Sequence, residues 1–302
     1  MIRMRRVPAT AALAVLVATL ATACSGPGGQ PAPAPASAGS CHAGVSGAEN
    51  WIMGSGELSA AQAAGASSVR YAVGSAHLFV LLLRGQTSRA GQEVADFRSY
   101  AELKKMIRQG TIAPGIRWVM YDNEQWSLTP ADEQADPVRY EQLFARLAHR
   151  QGYKVILAPA QDLVPGFDKN SFRAGQAVWP SYLSMGLAAA SARAADIYEI
   201  QAQPYEMSVY RSQHAYADFV AAAAAQARAA NPGVVIYAGL STQRVSSAAQ
   251  LLQDYEATRN LVDGYWLNIP RHDQPGPPGL ADQFLRTIPA SASASAATCA
   301  GA

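Results

Sequence analysis

Apolar, β-branched segments alternate with helical segments along this chain from residue 51 onward, and this alternation constrains the fold more than any other feature. Strands that are apolar throughout are typical of a parallel sheet whose two faces are both covered by helices. The predicted strands are 77–83, 116–124, 153–160, 197–203, 233–241 and 262–270, with an earlier one at 50–53.

Helical segments lie between these strands, and the clearest of them is 137–150. Asp136 is its predicted N-cap, Pro137 occupies the first turn, and Gly152 ends it. Two further Ala-rich helices are predicted at 187–195 and 215–230.

The spacing of the strands and the total length are those of a (β/α)8 barrel. We therefore predict a single α/β domain, a TIM-like barrel whose first strands are irregular or incomplete. An open doubly wound sheet is the alternative, although no Gly-rich turn for a dinucleotide follows any predicted strand.

The N-terminus carries a targeting signal. Three arginines, an apolar core over 11–20 and small residues up to Ala23 form a secretory leader, residues 1–23, which is too short to span a bilayer as a mature helix. Residues 24–40 are rich in Pro, Ala, Gly and Ser and predict a flexible tether, because this composition cannot build a core. The barrel domain then spans 41–302 and includes a loose Ser/Ala-rich tail.

A cysteine that directly follows the leader is similar to the lipobox of bacterial lipoproteins. In that family the matching residue, here Cys24, is diacylated on sulfur and anchors the chain to a membrane. The resemblance therefore implies a lipid-anchored, extracytoplasmic protein, and an ordinary signal peptide cleaved near Ala23 is the alternative. Because a secreted chain is oxidised, we predict that Cys41 and Cys299 form a disulfide, and two free thiols are the alternative.

The charge balance argues against nucleic acid as a partner. The formal net charge is +2, three arginines leave with the leader, and no basic stripe follows. The sequence also lacks a compact His/Cys cluster, a Gly-x-Ser-x-Gly elbow and a phosphate-cradling loop. We therefore expect no metal and no cofactor, and the oligomeric state stays open.

In a barrel the chemistry lies where the strands end, and the end of the 116–124 strand is the most informative. Side chains alternate along a strand, so Trp118, Met120, Asp122 and Glu124 share one face. Two adjacent carboxylates repel each other, which should raise one pKa towards that of a general acid. Asp122 and Glu124 are the predicted catalytic pair, and two solvated acids at a strand end are the alternative.

The other strand ends add acids, amides and aromatic rings, which suit a carbohydrate because hydroxyls bind amides and carboxylates while sugar faces stack on rings. For Gln201, Gln203 and Trp266 the alternative is a role in the barrel interior. Arg244 and Arg271 either pair with the acids or meet an anionic substrate, and we expect the first. The predicted substrate-binding residues are Tyr121, Trp126, Gln201, Gln203, Tyr205, Glu206, Trp266 and Asn268.

The order of these strand ends resembles that of family 18 glycoside hydrolases, especially the class III chitinase-like branch. That family ends one strand in Asp-x-x-Asp-x-Asp-x-Glu, and residues 122–124 match the final Asp-x-Glu. The two upstream aspartates are replaced by Arg117 and Met120. Further similar segments are 158–161, 200–205 and 265–266.

This resemblance implies substrate-assisted hydrolysis, in which the substrate's own N-acetyl group is the nucleophile. Glu124 would protonate the leaving oxygen and Asp122 would orient the acetamide. Gln201 or Tyr205 would hold the acetamide, and Trp266 would form the floor of the pocket.

Other functions stay open. Glu124 as the acid with Glu199 or Glu206 as a protein nucleophile would make a retaining glycosidase. The incomplete acid motif leaves a catalytically inactive glycan- or ligand-binding lipoprotein as the main alternative. A transporter's solute-binding subunit is less favoured, because one continuous strand–helix series offers no second lobe. A lyase or cyclase acting on a secreted metabolite is a further alternative, since one fold hosts many chemistries.

Overall fold

The computed structural model describes residues 50–63, 78–82, 91–269 and 278–288. Within these ranges the strands are β1 (Asn50–Gly54), β2 (Leu78–Leu82), β3 (Gln92–Phe97), β4 (Trp118–Tyr121), β5 (Lys154–Leu157), β6 (Ile197–Ile200), β7 (Val235–Ser241) and β8 (Gly264–Asn268). They form a closed parallel barrel in chain order, and β8 pairs back with β1. The predicted (β/α)8 barrel is confirmed.

Helices connect the strands and pack outside the barrel. The helix Pro137–Arg150 has the predicted bounds, because the Asp136 side chain accepts a hydrogen bond from the Arg139 N–H at 3.3 Å and Gly152 turns the chain at φ 81°. The described helices are α1 (Ser55–Ala63), α2 (Tyr100–Gln109), α3 (Ala131–Ala135), α4 (Pro137–Arg150), α5 (Lys169–Arg173), α6 (Trp179–Ser184), α7 (Leu187–Ala194), α8 (Ser208–Arg211), α9 (Ala215–Ala230), α10 (Ala248–Thr258) and α11 (Pro278–Thr287), with 3-10 turns at Gln161–Leu163 and Gln203–Glu206.

The strand β3 lies outside the predicted set. Its sequence is polar, and only Val94 and Phe97 are buried along it. Its place in the barrel comes from backbone pairing with β2 on one side and β4 on the other. We predicted that the first strands are irregular or incomplete, but β3 is a regular strand with an unusually polar composition. It places Asp96 near the C-terminal end of the barrel strands.

The core has an inner and an outer part. Inside the barrel, Ile52, Leu81, Met120 and Ile156 pack together and fill the lumen. Outside, larger apolar clusters join the barrel to the surrounding helices. A filled lumen leaves ligand space only at the ends of the strands.

Several predictions lie outside the described residues. These are the leader 1–23, the tether 24–40, the lipidated Cys24, the Cys41–Cys299 disulfide and Arg271. Among the helices within the described ranges, none combines the length and apolar character needed to cross a membrane.

Candidate active site

The chain after β4 places two acids on the inner face of the barrel. Sheet pairing continues past the end of the strand, because the Ala160 N–H donates to the Asn123 carbonyl at 3.0 Å. The alternation of side chains therefore continues as well, with Asp122 and Glu124 facing inward and Tyr121 facing outward.

A cavity of about 340 Å³ opens at this end of the barrel. The structure brings five predicted site residues to its wall: Glu124, Gln201, Gln203, Trp266 and Asn268. Other lining residues, which are not among the predicted catalytic and substrate-binding residues, include Asp162, Phe167, Phe172, Arg173, Gln243 and Arg244. In the part of the chain that the structure describes, no group of three His, Cys, Asp or Glu side chains could hold a metal ion.

Glu124 is the member of the predicted acid pair that reaches the cavity. Burial and the neighbouring Asp162 carboxylate raise the pKa of Glu124 to about 7, against the opposing effects of Arg98 and Arg244. A carboxyl group that keeps its proton close to neutral pH is suited to donate that proton in a reaction.

Asp122 lies behind the cavity wall and is 3% exposed. Its Oδ1 accepts a hydrogen bond from Gln201 Nε2 at 2.8 Å, and its Oδ2 lies 3.4 Å from Arg98 Nη1. Burial, Glu124 and Asp96 raise the pKa of Asp122, while Arg98 and Gln201 oppose that rise. Asp122 is therefore held by its neighbours and can act on a ligand only through them.

Gln201 links Asp122 to the cavity. Its Nε2 donates to Asp122 Oδ1 and to the Ala158 carbonyl, at 2.8 Å in both cases. Both neighbours are acceptors, which determines the orientation of the carboxamide and uses both of its hydrogens. The Gln201 Oε1 is then the atom that can accept a hydrogen bond from a ligand.

An ion pair between Asp96 and Arg98 completes the cluster around Asp122. Neither residue is in the predicted site, because β3 is not among the predicted strands. The available signal was the Ser99-x-x-Glu102 spacing, which is typical of a helix start. Ser99 Oγ accepts a hydrogen bond from the Glu102 N–H at 3.0 Å, so Arg98 is held between a strand end and a helix cap.

Tyr121 and Trp126, predicted as a ligand platform, do not line the cavity. Tyr121 is fully buried outside the barrel, where its O–H donates to Glu133 Oε2 at 2.7 Å and its ring stacks on Phe144 at 4.7 Å. Adjacent side chains of a strand point to opposite faces, so Tyr121 points outward where Asp122 points inward. The Trp126 ring lies 5.3 Å from the guanidinium of Arg98.

Tyr205 and Glu206 also lie away from the cavity wall. The Tyr205 hydroxyl accepts the N–H groups of Val178 and Trp179, at 3.0 and 2.9 Å. The Glu206 carboxylate accepts the Ser241 N–H at 2.9 Å, and it is almost fully buried. The physical reason is the 3-10 turn Gln203–Glu206, which ends the strand alternation on which the prediction depends.

Glu199, the other candidate nucleophile, points into the lumen from β6 and is fully buried. Neither of its carboxyl oxygens has a hydrogen-bond partner among the described residues. Burial, followed by the charges of Asp122 and Glu124, raises the pKa of Glu199 well above its ordinary value. Neither Glu199 nor Glu206 lines the cavity, so neither is placed to attack a ligand there.

The closed barrel makes this chain a TIM barrel. No protein-family model matches it, and no curated protein matches it. Similar solved structures include an archaeal fructose-1,6-bisphosphate aldolase, 10% identical over 73% of this chain and 86% of that chain, with a TM-score of 0.40. A Schiff-base-forming fructose-1,6-bisphosphate aldolase is 9% identical over 79% of this chain and 92% of that chain, also at 0.40. The β-mannanase of the blue mussel Mytilus edulis is 12% identical over 73% and 68%, at 0.28. Likenesses this distant carry no argument about activity.

Proposed function

We propose that this protein is a glycoside hydrolase-like enzyme that acts on a glycan, with Glu124 as its general acid. The observation that carries the proposal is the position of Glu124, a largely buried acid on the wall of a cavity that also presents amides and an indole ring. Gln201, Gln203 and Asn268 offer hydrogen bonds to hydroxyls, and Trp266 offers an apolar surface to a sugar ring.

In this mechanism Glu124 protonates the leaving glycosidic oxygen. Asp122 assists from behind the wall, because its hydrogen bond to Gln201 keeps Gln201 Oε1 available to a ligand. An acetamide N–H that donates to this oxygen would be held as substrate-assisted hydrolysis requires, in line with the family 18 resemblance. Asp162 is the second carboxyl residue of the wall and would serve the alternative in which water is the nucleophile.

The test compares wild type with Glu124→Gln on a panel of polysaccharides and oligosaccharides, with release of reducing ends as the readout. We expect the variant to lose turnover by at least about a hundredfold, the usual scale of general acid catalysis, and to keep ligand affinity. Wild-type turnover should fall as the pH rises through about 7, because Glu124 then loses the proton that it donates. Glu256→Gln, which removes an exposed acid, is the matched control. Unchanged turnover in Glu124→Gln would refute the assignment.

A catalytically inactive glycan-binding barrel is the second candidate. The arrangement of Asp122 favours it, because this carboxyl lies behind the wall and is engaged by Arg98 and Gln201. On this hypothesis the wild type binds oligosaccharides in calorimetry and releases no reducing ends at any pH. Any hydrolysis that Glu124→Gln abolishes would exclude it.

We also propose, from the sequence, that the protein acts outside the cytoplasm and is anchored to the cell membrane through Cys24. The lipobox-like leader and the tether that follows support this location. Metabolic labelling with an alkyne fatty acid should mark the wild type and not Cys24→Ser. Labelling of both proteins, or of neither, would refute the anchor.

A further inference from the structure

Two arginines line the cavity from different sides of its mouth. Arg173 ends α5, which follows β5, and Arg244 lies in the turn after β7, where its N–H donates to the Ser241 carbonyl at 3.4 Å. Both side chains are exposed. Two separate elements of the barrel therefore direct cations towards one space.

Neither arginine forms an ion pair within the part of the chain that the structure describes. Among the described residues no carboxylate forms an ion pair with Arg173 or Arg244, whereas Arg98 pairs with Asp96 and Arg211 with Asp254. This differs from the expectation that Arg244 pairs with the acids of the site. Arg244 lies close enough to Glu124 to oppose the rise of its pKa, yet it forms no ion pair with it.

When Glu124 is protonated, the charges on the wall leave an excess of positive charge. Two positively charged guanidinium groups face the cavity. The opposing carboxyl residues are Glu124 and Asp162. An acid that works as a proton donor is neutral when it acts, so Asp162 alone balances two cations at that moment.

The rest of the cavity suits a sugar ring that carries such a charge. Phe167 and Phe172 line the same side as Arg173, with ring centroids 5.1 Å apart. Trp266 and Asn268 lie on β8, and Asn268 is its last residue. The aromatic rings can contact the face of a sugar, and the amides can bind its hydroxyls. The two guanidinium groups can bind an oxyanion substituent of the same ligand.

We propose that the ligand of this cavity is an acidic glycan, whose oxyanion substituent binds Arg173 and Arg244. This substrate class rests on the proposed glycoside hydrolase-like function. Guanidinium groups bind carboxylate and sulfate with the same forked geometry, so either substituent satisfies the site.

The experiment measures binding by calorimetry to the Glu124→Gln protein, which separates binding from turnover. One arm compares oligogalacturonate with its fully methyl-esterified form, and the other compares sulfated with unsulfated chito-oligosaccharides. We expect the acidic member of at least one pair to bind about tenfold more tightly or better, with a preference that falls as salt is added. The arm that shows the preference identifies the substituent.

The arginines are then tested one at a time in the same background. Arg173→Gln and Arg244→Gln should each weaken binding of the acidic ligand by about tenfold and leave the neutral ligand unchanged. Arg193→Gln on α7 is the control, because Arg193 is exposed and does not line the cavity. Melting curves of the three variants test whether each remains folded.

The outcomes separate the two proposals. Equal binding of both members in both arms, no binding of any acidic ligand, or equal losses for acidic and neutral ligands would overturn the acidic-glycan inference. Glu124-dependent cleavage of a neutral glycan that is unchanged by Arg173→Gln and by Arg244→Gln would also overturn the acidic-glycan inference. The hydrolase proposal would then stand. Arginine-dependent binding of an acidic glycan that the wild type never cleaves would support the inference and refute the hydrolase.

Discussion

Replacing Glu199 by glutamine tests whether the lumen of the barrel holds a protonated acid. Glu199 is fully buried on the inner face of β6, and its carboxyl oxygens have no hydrogen-bond partner among the described residues. Burial therefore raises its pKa well above the ordinary value. The folded chain holds this proton at pH values where the unfolded chain has released it.

The sign of the effect follows from proton linkage. Above the unfolded-state pKa of about 4.3, the unfolded state binds one proton fewer at this site than the folded state. The free energy of unfolding therefore falls with rising pH by about 1.4 kcal/mol per pH unit, until the pH reaches the folded-state pKa. Glutamine is similar in shape and cannot ionise, so Glu199→Gln lacks this slope.

The assay is urea unfolding of wild type and Glu199→Gln at pH 5, 6 and 7. We expect the stability of the variant relative to wild type to increase by about 1.4 kcal/mol for each pH unit, and the slope should flatten at the folded-state pKa. A buried amide without partners adds a constant cost of about 1–3 kcal/mol, which shifts the comparison without changing its slope. Other buried acids contribute equally to both proteins as long as Glu199 stays protonated, because only its charged form would act on Asp122 and Glu124.

Glu256→Gln is the control, because it removes one carboxylate whose side chain is 48% exposed. Its ion pair with Arg259 lies on the surface and contributes little to stability, so the variant should differ from wild type by at most about 1 kcal/mol. A stability difference for Glu199→Gln that is independent of pH would refute the reasoning, since it would mean that Glu199 ionises in the folded protein as easily as in water.

Three further predictions concern the cavity wall at Gln203, the buried hydrogen bond of Tyr121 and the N-cap of α4. Gly239→Ala would place a Cβ against the carboxamide of Gln203 and displace that flexible side chain. Oligosaccharide affinity should therefore fall while the melting temperature changes little. An unchanged dissociation constant would contradict the role of Gln203 in binding. Tyr121→Phe removes the 2.7 Å hydrogen bond to Glu133 and should cost about 1–2 kcal/mol in urea unfolding, because Glu133 keeps the N–H groups of Tyr100 and Ala101; no loss of stability would mean that the hydroxyl is not needed there. Asp136→Ala should cost about 1 kcal/mol through loss of the α4 cap, and Asp136→Ser should restore most of it; equal losses in both variants would argue against capping.

The sequence determined the parts of this protein that depend on local periodicity. Alternating apolar strands and helices predict the barrel, and the bounds of α4 follow from Asp136 and Pro137 at its start. Side chains alternate along the chain after β4, so Asp122 and Glu124 share one inner face. The backbone pairing that maintains this alternation continues as far as Asn123. These features need only the nearest residues in the chain, so the printed sequence contains them.

The rest of the candidate site depends on contacts between residues that are far apart in the chain. The strand β3 is too polar to predict, and its neighbours in the barrel hold it in place, which brings Asp96 and Arg98 to Asp122. The raised pKa of Glu124 depends on burial and on Asp162 from the next strand end, and neither can be deduced from spacing along one strand. Burial and charge are properties of residues brought together across the barrel, because they depend on distances in space rather than on distances along the chain.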